Sequence, residues 1–307
     1  MSVSQSIVGK AVAIILVVFG HLGFVPNGGA LGVSMFLVLS GYGMVKSSEK
    51  DDYKFKGYWK KRIISVYIPF FVWSVFVTIL LCLTKNLVIT DSKKYSIVLG
   101  MLGFPYNLYD PTMWYISYIF LMYLVFWLSF KFFKRKINKV LMCIVGCLII
   151  GIGSVFLYSD SVGVYLYVFS FPIGIIGAAY DDIMNLFCKI IDSYKVVVFM
   201  LIITIILEYL SCQNIMFYIL LTVYVSVFTL PILRQLRQLK KGLIYIIGRA
   251  SFAIYLVEGI MMKVMWQHMG RNMVFWNLLY GILIISVGIV IHYIWKTVFI
   301  FAKKRNG

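Results

Sequence analysis

The sequence predicts an all-α integral membrane protein of about ten transmembrane helices with both termini cytoplasmic. Three observations carry this. Hydrophobic residues make up 62% of the 307 positions and charged residues 13%, and the mean hydropathy is +0.94. A soluble globule needs more polar surface than that. The apolar residues are gathered into runs of about 20, the length that crosses a bilayer core as a helix. Lysines and arginines cluster in alternate connections between those runs, as they do in cytoplasmic loops. The formal net charge of +18 therefore reads as membrane topology and not as a nucleic-acid surface.

Taken in order, the expected spans lie near 7–25, 30–46, 63–84, 112–130 (preceded by a short apolar piece at 97–104), 139–158, 162–180, 195–211, 214–233, 243–266 and 273–301. The first run starts almost at Met1 and has no small-residue cleavage site, so it is expected to remain as a helix. Gly100, Gly103 and Pro105 make a continuous span through 95–104 unfavourable; that piece reads as re-entrant or interfacial. The last run is long enough to tilt or to pass beyond the bilayer. With the N-terminus inside, 22 Lys/Arg fall on the cytoplasmic side and five outside, while Lys10 and Lys296 lie within helices. No connection is long enough to fold alone, so residues 1–307 read as one polytopic domain.

The first two spans hold the main candidate chemistry. They are joined by a Pro-Asn-Gly-Gly turn at Pro26 to Gly29. Inside the first run stand Lys10 and His21, and ionisable groups in hydrocarbon usually face a cavity or a partner. Eleven residues are roughly three turns at 3.6 per turn, so both side chains lie on nearly one face, about 16 Å apart along the axis. One helix thus presents a cation near one membrane surface and an imidazole well across the bilayer.

Lys10-x10-His21, followed by Gly32, Val33, Phe36, Ser40, Gly41 and Tyr42, resembles the opening of the membrane acyltransferase 3 family. That family has an Arg/Lys-x10-His first helix and then a Gly-Val-Asp-Phe-Phe-type run ending in Ser-Gly-Phe/Tyr. Ser34 stands where the family often has Asp, so a carboxylate partner for His21 is missing at that position. Further segments are similar. Arg62 leads a basic helix start toward Pro69, with Ser65 at the place of a frequent second Arg. Met113-Trp114-Tyr115 matches a Trp-Phe/Tyr element at the outer membrane edge. Phe171-Pro172-Ile173-Gly174 matches a Phe-Pro-x-x-x-Gly element, which a proline kink and a close-packing glycine would also explain. Gly248-Arg249-Ala250-Ser251-Phe252 through Tyr255-Leu256 resembles the Gly-Arg-x-Ser-Tyr-x-x-Tyr-Leu run. There the family commonly has His two residues after the Leu, and Glu258 replaces it. The resemblance covers nearly the whole chain.

The segment Lys46 to Arg62 interleaves lysines with Tyr53, Phe55, Tyr58 and Trp59. It reads either as an interfacial anchor on anionic lipid or as a docking surface for the phosphates of an acyl-CoA, with Lys60, Lys61 and Arg62 as contacts. Other polar groups have plain readings: His268 solvated beyond the ninth span, His292 a bundle histidine, and Glu208 a bundle contact near the outer end of the seventh span. Asp110, beside Trp114 on the outer face, is the loop carboxylate of interest. Cys143 and Cys147 share a helix face without a further ligand, so they read as packing. No metal-ligand cluster, phosphate-binding Gly-rich loop or Gly-x-Ser-x-Gly elbow is present.

The resemblance implies an O-acyltransferase that takes acetyl (or another acyl) from acetyl-CoA on the cytoplasmic side, with no bound cofactor. The acceptor would be a cell-surface polysaccharide or lipid-linked glycan, in a bacterial cytoplasmic membrane and alongside glycan-synthesis machinery. His21 fits a general base or a transient acyl carrier, and apolar burial would keep its imidazole neutral. Lys10 and Arg249 fall to the donor side, as do Ser40 and Tyr42 along the thioester path. Trp114, Tyr115 and Asp110 fall to the acceptor. Glu258 reads as a base, a ligand of the acceptor hydroxyl or a paired buried group. The competing function is a transporter or exporter of glycan or lipid that uses Lys10, His21 and Glu258 as substrate or proton sites. Against it, no inverted repeat and no recurring pair of broken helices is evident.

Overall fold

A computed structural model describes residues 1–50, 55, 57–84, 94–103, 111–157, 163–269 and 274–305. Among the described residues the chain is helical, with no strand. The helices are α1 (Val3–His21), α2 (Gly28–Ser48), α3 (Tyr58–Arg62), α4 (Ile68–Leu83), α5 (Lys94–Met101), α6 (Trp114–Phe132), α7 (Lys136–Leu157), α8 (Ser170–Ala179), α9 (Asp181–Ile190), α10 (Tyr194–Ser211), α11 (Ile215–Gln235), α12 (Leu243–Met269) and α13 (Val274–Arg305). A single π turn, Ile63–Tyr67, joins α3 to α4, so Tyr58–Leu83 runs as one 26-residue span. Nine helical segments among the described residues are long and apolar enough to cross a membrane. The protein is a multi-pass membrane protein.

Three features differ from the sequence expectation. First, the expected sixth span, 162–180, stops at Tyr180 but is, in its described residues, a 3-10 turn (Val164–Tyr167) followed by the ten-residue α8, and the chain then bends by 101° into α9. The break falls at Tyr180, directly before the paired acids Asp181 and Asp182, which favour a new helix N-terminus by complementing its dipole. Second, Pro172 does not kink a helix. It sits in the first turn of α8, where its missing N–H costs nothing. Third, Lys60, Lys61 and Arg62 lie on helix α3 and not in a loop. The short piece at 95–104 is helix α5, too short to cross, and it stops at Met101.

The chain divides into two compact units, residues 1–55 with 121–249 and residues 56–120 with 250–307. In the first unit, glycines set the helix approaches. A Cβ on Gly28 would stand 2.5 Å from the Leu16 carbonyl oxygen, and one on Gly32 would strike the Ala13 carbonyl. Gly41 and Gly174 do the same between α2 and α8, against the Phe171 and Val38 carbonyls. With little hydrophobic drive between helices in lipid, such close backbone contact and interhelical hydrogen bonds hold the bundle. Ser226 Oγ supplies one of these bonds, donating to Ser170 Oγ at 2.8 Å.

A polar knot closes one end of this unit. Ser2 and Gln5 form a capping box at the start of α1. Gln5 Nε2 donates to the Arg234 and Leu236 carbonyls, both at 2.9 Å. Arg234 pairs with Asp181 at 2.8 Å, and Lys46 pairs with Asp181 at 3.4 Å. The Arg234 guanidinium, with Lys46 behind it, holds the Asp181 carboxyl below the usual carboxylate range. In the second unit, Val77 and Leu81 of α4 pack with Ile260 of α12, and Gly288 of α13 admits Ile254 at 2.5 Å from its virtual Cβ.

Candidate functional site

His21 is the last residue of α1. The helix ends there because Gly23, at φ +82°, turns the backbone into the left-handed region that glycine tolerates. Gly20 lets the turn fold back, since a Cβ there would stand 2.6 Å from the Gly29 nitrogen. Gly29 in turn faces the imidazole, its virtual Cβ 3.3 Å from His21 Nε2. The start of α2 is thus seated against the ring. The expected apolar burial does not hold: His21 is exposed, because it sits at the helix end beside a turn and not in mid-span. A ring so placed is reachable by a substrate, and a neutral imidazole has a nitrogen able to take a proton.

Lys10, three turns earlier, is half-buried. Among the described residues no hydrogen bond or ion pair reaches its ammonium. Its neighbour Gly9 accommodates Leu39 and Leu233 side chains. Gly248 of α12 receives the Ile7 carbonyl, one turn before Lys10. The crossing brings Arg249, which is exposed, to the same stretch of α1 as Lys10. Two donor-side candidates separated by more than 200 positions therefore share one end of the first unit.

Tyr42 and Ser40 part company. Tyr42 is 4% exposed, and its hydroxyl accepts from the Met1 ammonium at 2.9 Å, with Arg234 also against it. It belongs to the polar knot. Ser40 is half-buried on α2. Ser34 is fully buried, and its hydroxyl has no hydrogen-bond partner among the described residues.

The second unit holds the remaining candidates. Trp114 and Tyr115 open α6, and Tyr115 packs edge-on against Tyr255 of α12 with ring centroids 5.7 Å apart. Tyr255 donates from its hydroxyl to the Thr112 carbonyl at 2.6 Å. Trp114 lies 6.1 Å from Tyr118. Glu258, one turn beyond Tyr255, is 0% exposed. A carboxylate so deep in a helix bundle is costly unless partnered or functional. Trp114 meets Tyr115 edge-on at 6.2 Å, so the three rings Trp114, Tyr115 and Tyr255 run in sequence. On α3, Arg62 stacks over the buried Tyr58 ring at 4.0 Å and donates to the Tyr58 carbonyl at 3.3 Å. Lys60 and Lys61 are exposed. Asp110 lies outside the described residues.

Two pairings escaped the sequence reading, although Glu208 reads there as a bundle contact. Tyr255 was visible only as part of a motif, with nothing to say that its partner was Tyr115. Asn27 and Glu208 are joined by a hydrogen bond of 2.7 Å across 181 positions. The one signal was an acidic residue inside an apolar run.

Compared with known proteins, the chain matches no curated protein and no solved structure. A family profile described as an acyltransferase domain, that of acyltransferase 3, matches residues 6–295, which takes in most of α1 and of α13 and every candidate residue above. With that match laid over a multi-pass helical bundle, the protein belongs to the acyltransferase 3 family and is a membrane acyltransferase.

Proposed function

We propose that the protein is an O-acetyltransferase of the bacterial cytoplasmic membrane, moving acetyl from cytoplasmic acetyl-CoA to a hydroxyl of a cell-surface polysaccharide or lipid-linked glycan. The observation that carries this reading is the family match over residues 6–295 joined to an accessible imidazole at the end of α1. His21 takes the proton as the acceptor oxygen attacks the thioester carbonyl carbon. The carbon–sulfur bond then breaks, and the departing thiolate recovers the proton. Lys10 and Arg249 hold the phosphates of the donor from the opposite end of α1. Lys60 and Lys61, cytoplasmic in the expected topology, add positive potential that draws the anionic donor to the membrane face. Trp114 and Tyr115 give the acceptor a flat apolar face, and Glu258 supplies a carboxylate in the same unit.

The orientation that serves this chemistry puts both termini and the Lys/Arg-rich connections inside. A cysteine placed at Asn107 is then labelled by an impermeant thiol reagent in intact cells. Labelling only after permeabilisation overturns the orientation.

The donor assignment is tested at limiting acetyl-CoA in membranes from expressing cells. Lys10→Ala raises the KM for acetyl-CoA by about tenfold or more, the scale of one lost charge-assisted hydrogen bond. Lys10→Arg keeps it within a few-fold, because either cation meets a phosphate. Wild-type kinetics in Lys10→Ala would make the residue a snorkelling lysine with no donor role.

A further inference from the structure

At the end of the first unit that carries His21, the α1–α2 turn is tied to α10 by a compact polar group. Asn27, the residue before α2, holds a left-handed backbone at φ +48°. Asparagine tolerates that conformation better than most residues. Its Nδ2 donates to Glu208 Oε2 at 2.7 Å and to Ser211 Oγ at 2.8 Å. Ser211 Oγ donates back to the Glu208 carbonyl at 2.7 Å. Tyr218, in the first turn of α11, lies within electrostatic reach of the Glu208 carboxylate. Its hydroxyl is 3.4 Å from that of Tyr167.

Glu208 is the feature that needs a reason. It stands half-buried in a helix that keeps only 11% of its span window buried, where a carboxylate is expensive. Among the described residues one of its oxygens takes Asn27, and no Lys or Arg pairs with it. The tie to the turn uses one carboxylate oxygen, and an ionised carboxylate has acceptor capacity beyond that. Here the second oxygen is left to accept, and the neighbouring groups are an amide and hydroxyls. Neutral polyols are bound by that combination, with a carboxylate accepting from ligand O–H groups and side-chain hydroxyls filling the rest. The position also suits it, since Asn27 lies six residues beyond His21 and two before Gly29, the glycine that faces the imidazole.

We propose that Glu208, held by Asn27 and Ser211 and flanked by Tyr218, is an acceptor-binding residue that takes a hydrogen bond from a hydroxyl of the polyol or sugar to be acylated. The assignment rests on the acetyl-transfer reading above. It predicts that losing Glu208 uncouples donor use from acceptor use, which a merely structural tie would not do.

Membranes from cells expressing the protein contain its own acceptor and are supplied with acetyl-labelled acetyl-CoA. Two products are measured: label fixed in glycan as base-labile ester, and acetate released to water. Glu208→Gln keeps the side-chain shape and an oxygen for Asn27 but loses the charged acceptor. Incorporation falls about tenfold or more, while acetate release stays at the wild-type level or rises. Glu208→Asp restores part of the incorporation. Tyr218→Phe, which removes one hydroxyl without touching the Asn27 tie, lowers incorporation by a smaller factor and spares acetate release. The proposal is overturned if Glu208→Gln incorporates at the wild-type rate, or if both products fall together in Glu208→Gln and Tyr218→Phe leaves both unchanged. Wild-type membranes that yield neither product would instead remove the acetyl-transfer reading itself.

Discussion

His21→Gln is expected to lower acetyl transfer by about 10²- to 10⁴-fold, the usual consequence of losing a general base. Glutamine keeps a polar, hydrogen-bonding side chain of similar reach but takes no proton at neutral pH. The substitution therefore separates chemistry from packing. His21 is exposed at the end of α1, so the ring fills little of the core. No other group in α1 or α2 has an ordinary pKa near neutrality, so nothing close by replaces it. The readout is ester acetate on surface glycan, with membrane abundance followed by immunoblot. Normal acetylation at normal abundance would take His21 out of the mechanism and make Glu258 the next candidate base.

The largest effect on folding is expected from Gly174→Leu. A Cβ at Gly174 lands on the Val38 carbonyl, with the Val38 carbonyl carbon and Cα both 2.9 Å away. Those are backbone atoms of a helix and cannot swing aside. Overpacking of a filled contact costs about 1–3 kcal/mol and occasionally more, and here the whole of α8 must move off α2. Detergent-extracted Gly174→Leu should lose its monodisperse elution or melt well below the wild type. Gly43→Ala is the control on the same helix pair's surface, since nothing lies within 4 Å of its virtual Cβ. It should be neutral or stabilising by up to about 1 kcal/mol, the helix-propensity gain over glycine. Equal melting of wild type and Gly174→Leu would contradict the close α2–α8 approach.

These two substitutions mark how far the sequence could be read. Spans follow from composition, because a run of about 20 apolar residues in lipid has only the helix available. The stop of α1 and the restart at Gly28 were legible for the same local reason, a Pro-Asn-Gly-Gly cluster that breaks a helix. The end of the sixth span at Tyr180 was legible too, but the 101° bend into α9 was not, since it depends on α8 being held against α2 and α11. Gly174 reads as a close-packing glycine in the sequence and is one, against the Val38 carbonyl, whereas only the fold shows that a Cβ at Gly43 meets nothing within 4 Å.

Among the site residues, Lys10 and His21 were readable because both lie on one helix, whose geometry fixes their spacing. The partners of Tyr42, Met1 and Arg234, carry no local pattern because they lie far from it in sequence. The Asn27–Glu208 bond spans 181 positions and carries no local pattern. Arg249 was picked out by resemblance, while its placement beside the Lys10 end of α1 follows from a single glycine, Gly248, that admits the Ile7 carbonyl.

The central claim is that this bundle transfers acetyl and does not merely carry glycan across the bilayer. The most direct measurement uses the purified protein in vesicles with glycan extracted from the parent cells' membranes and acetyl-labelled acetyl-CoA outside. The account predicts that label moves onto glycan as base-labile ester, that the yield depends on His21, and that free CoA appears in equal amount. Glycan that crosses the vesicle membrane at a His21-dependent rate while remaining unlabelled would contradict it.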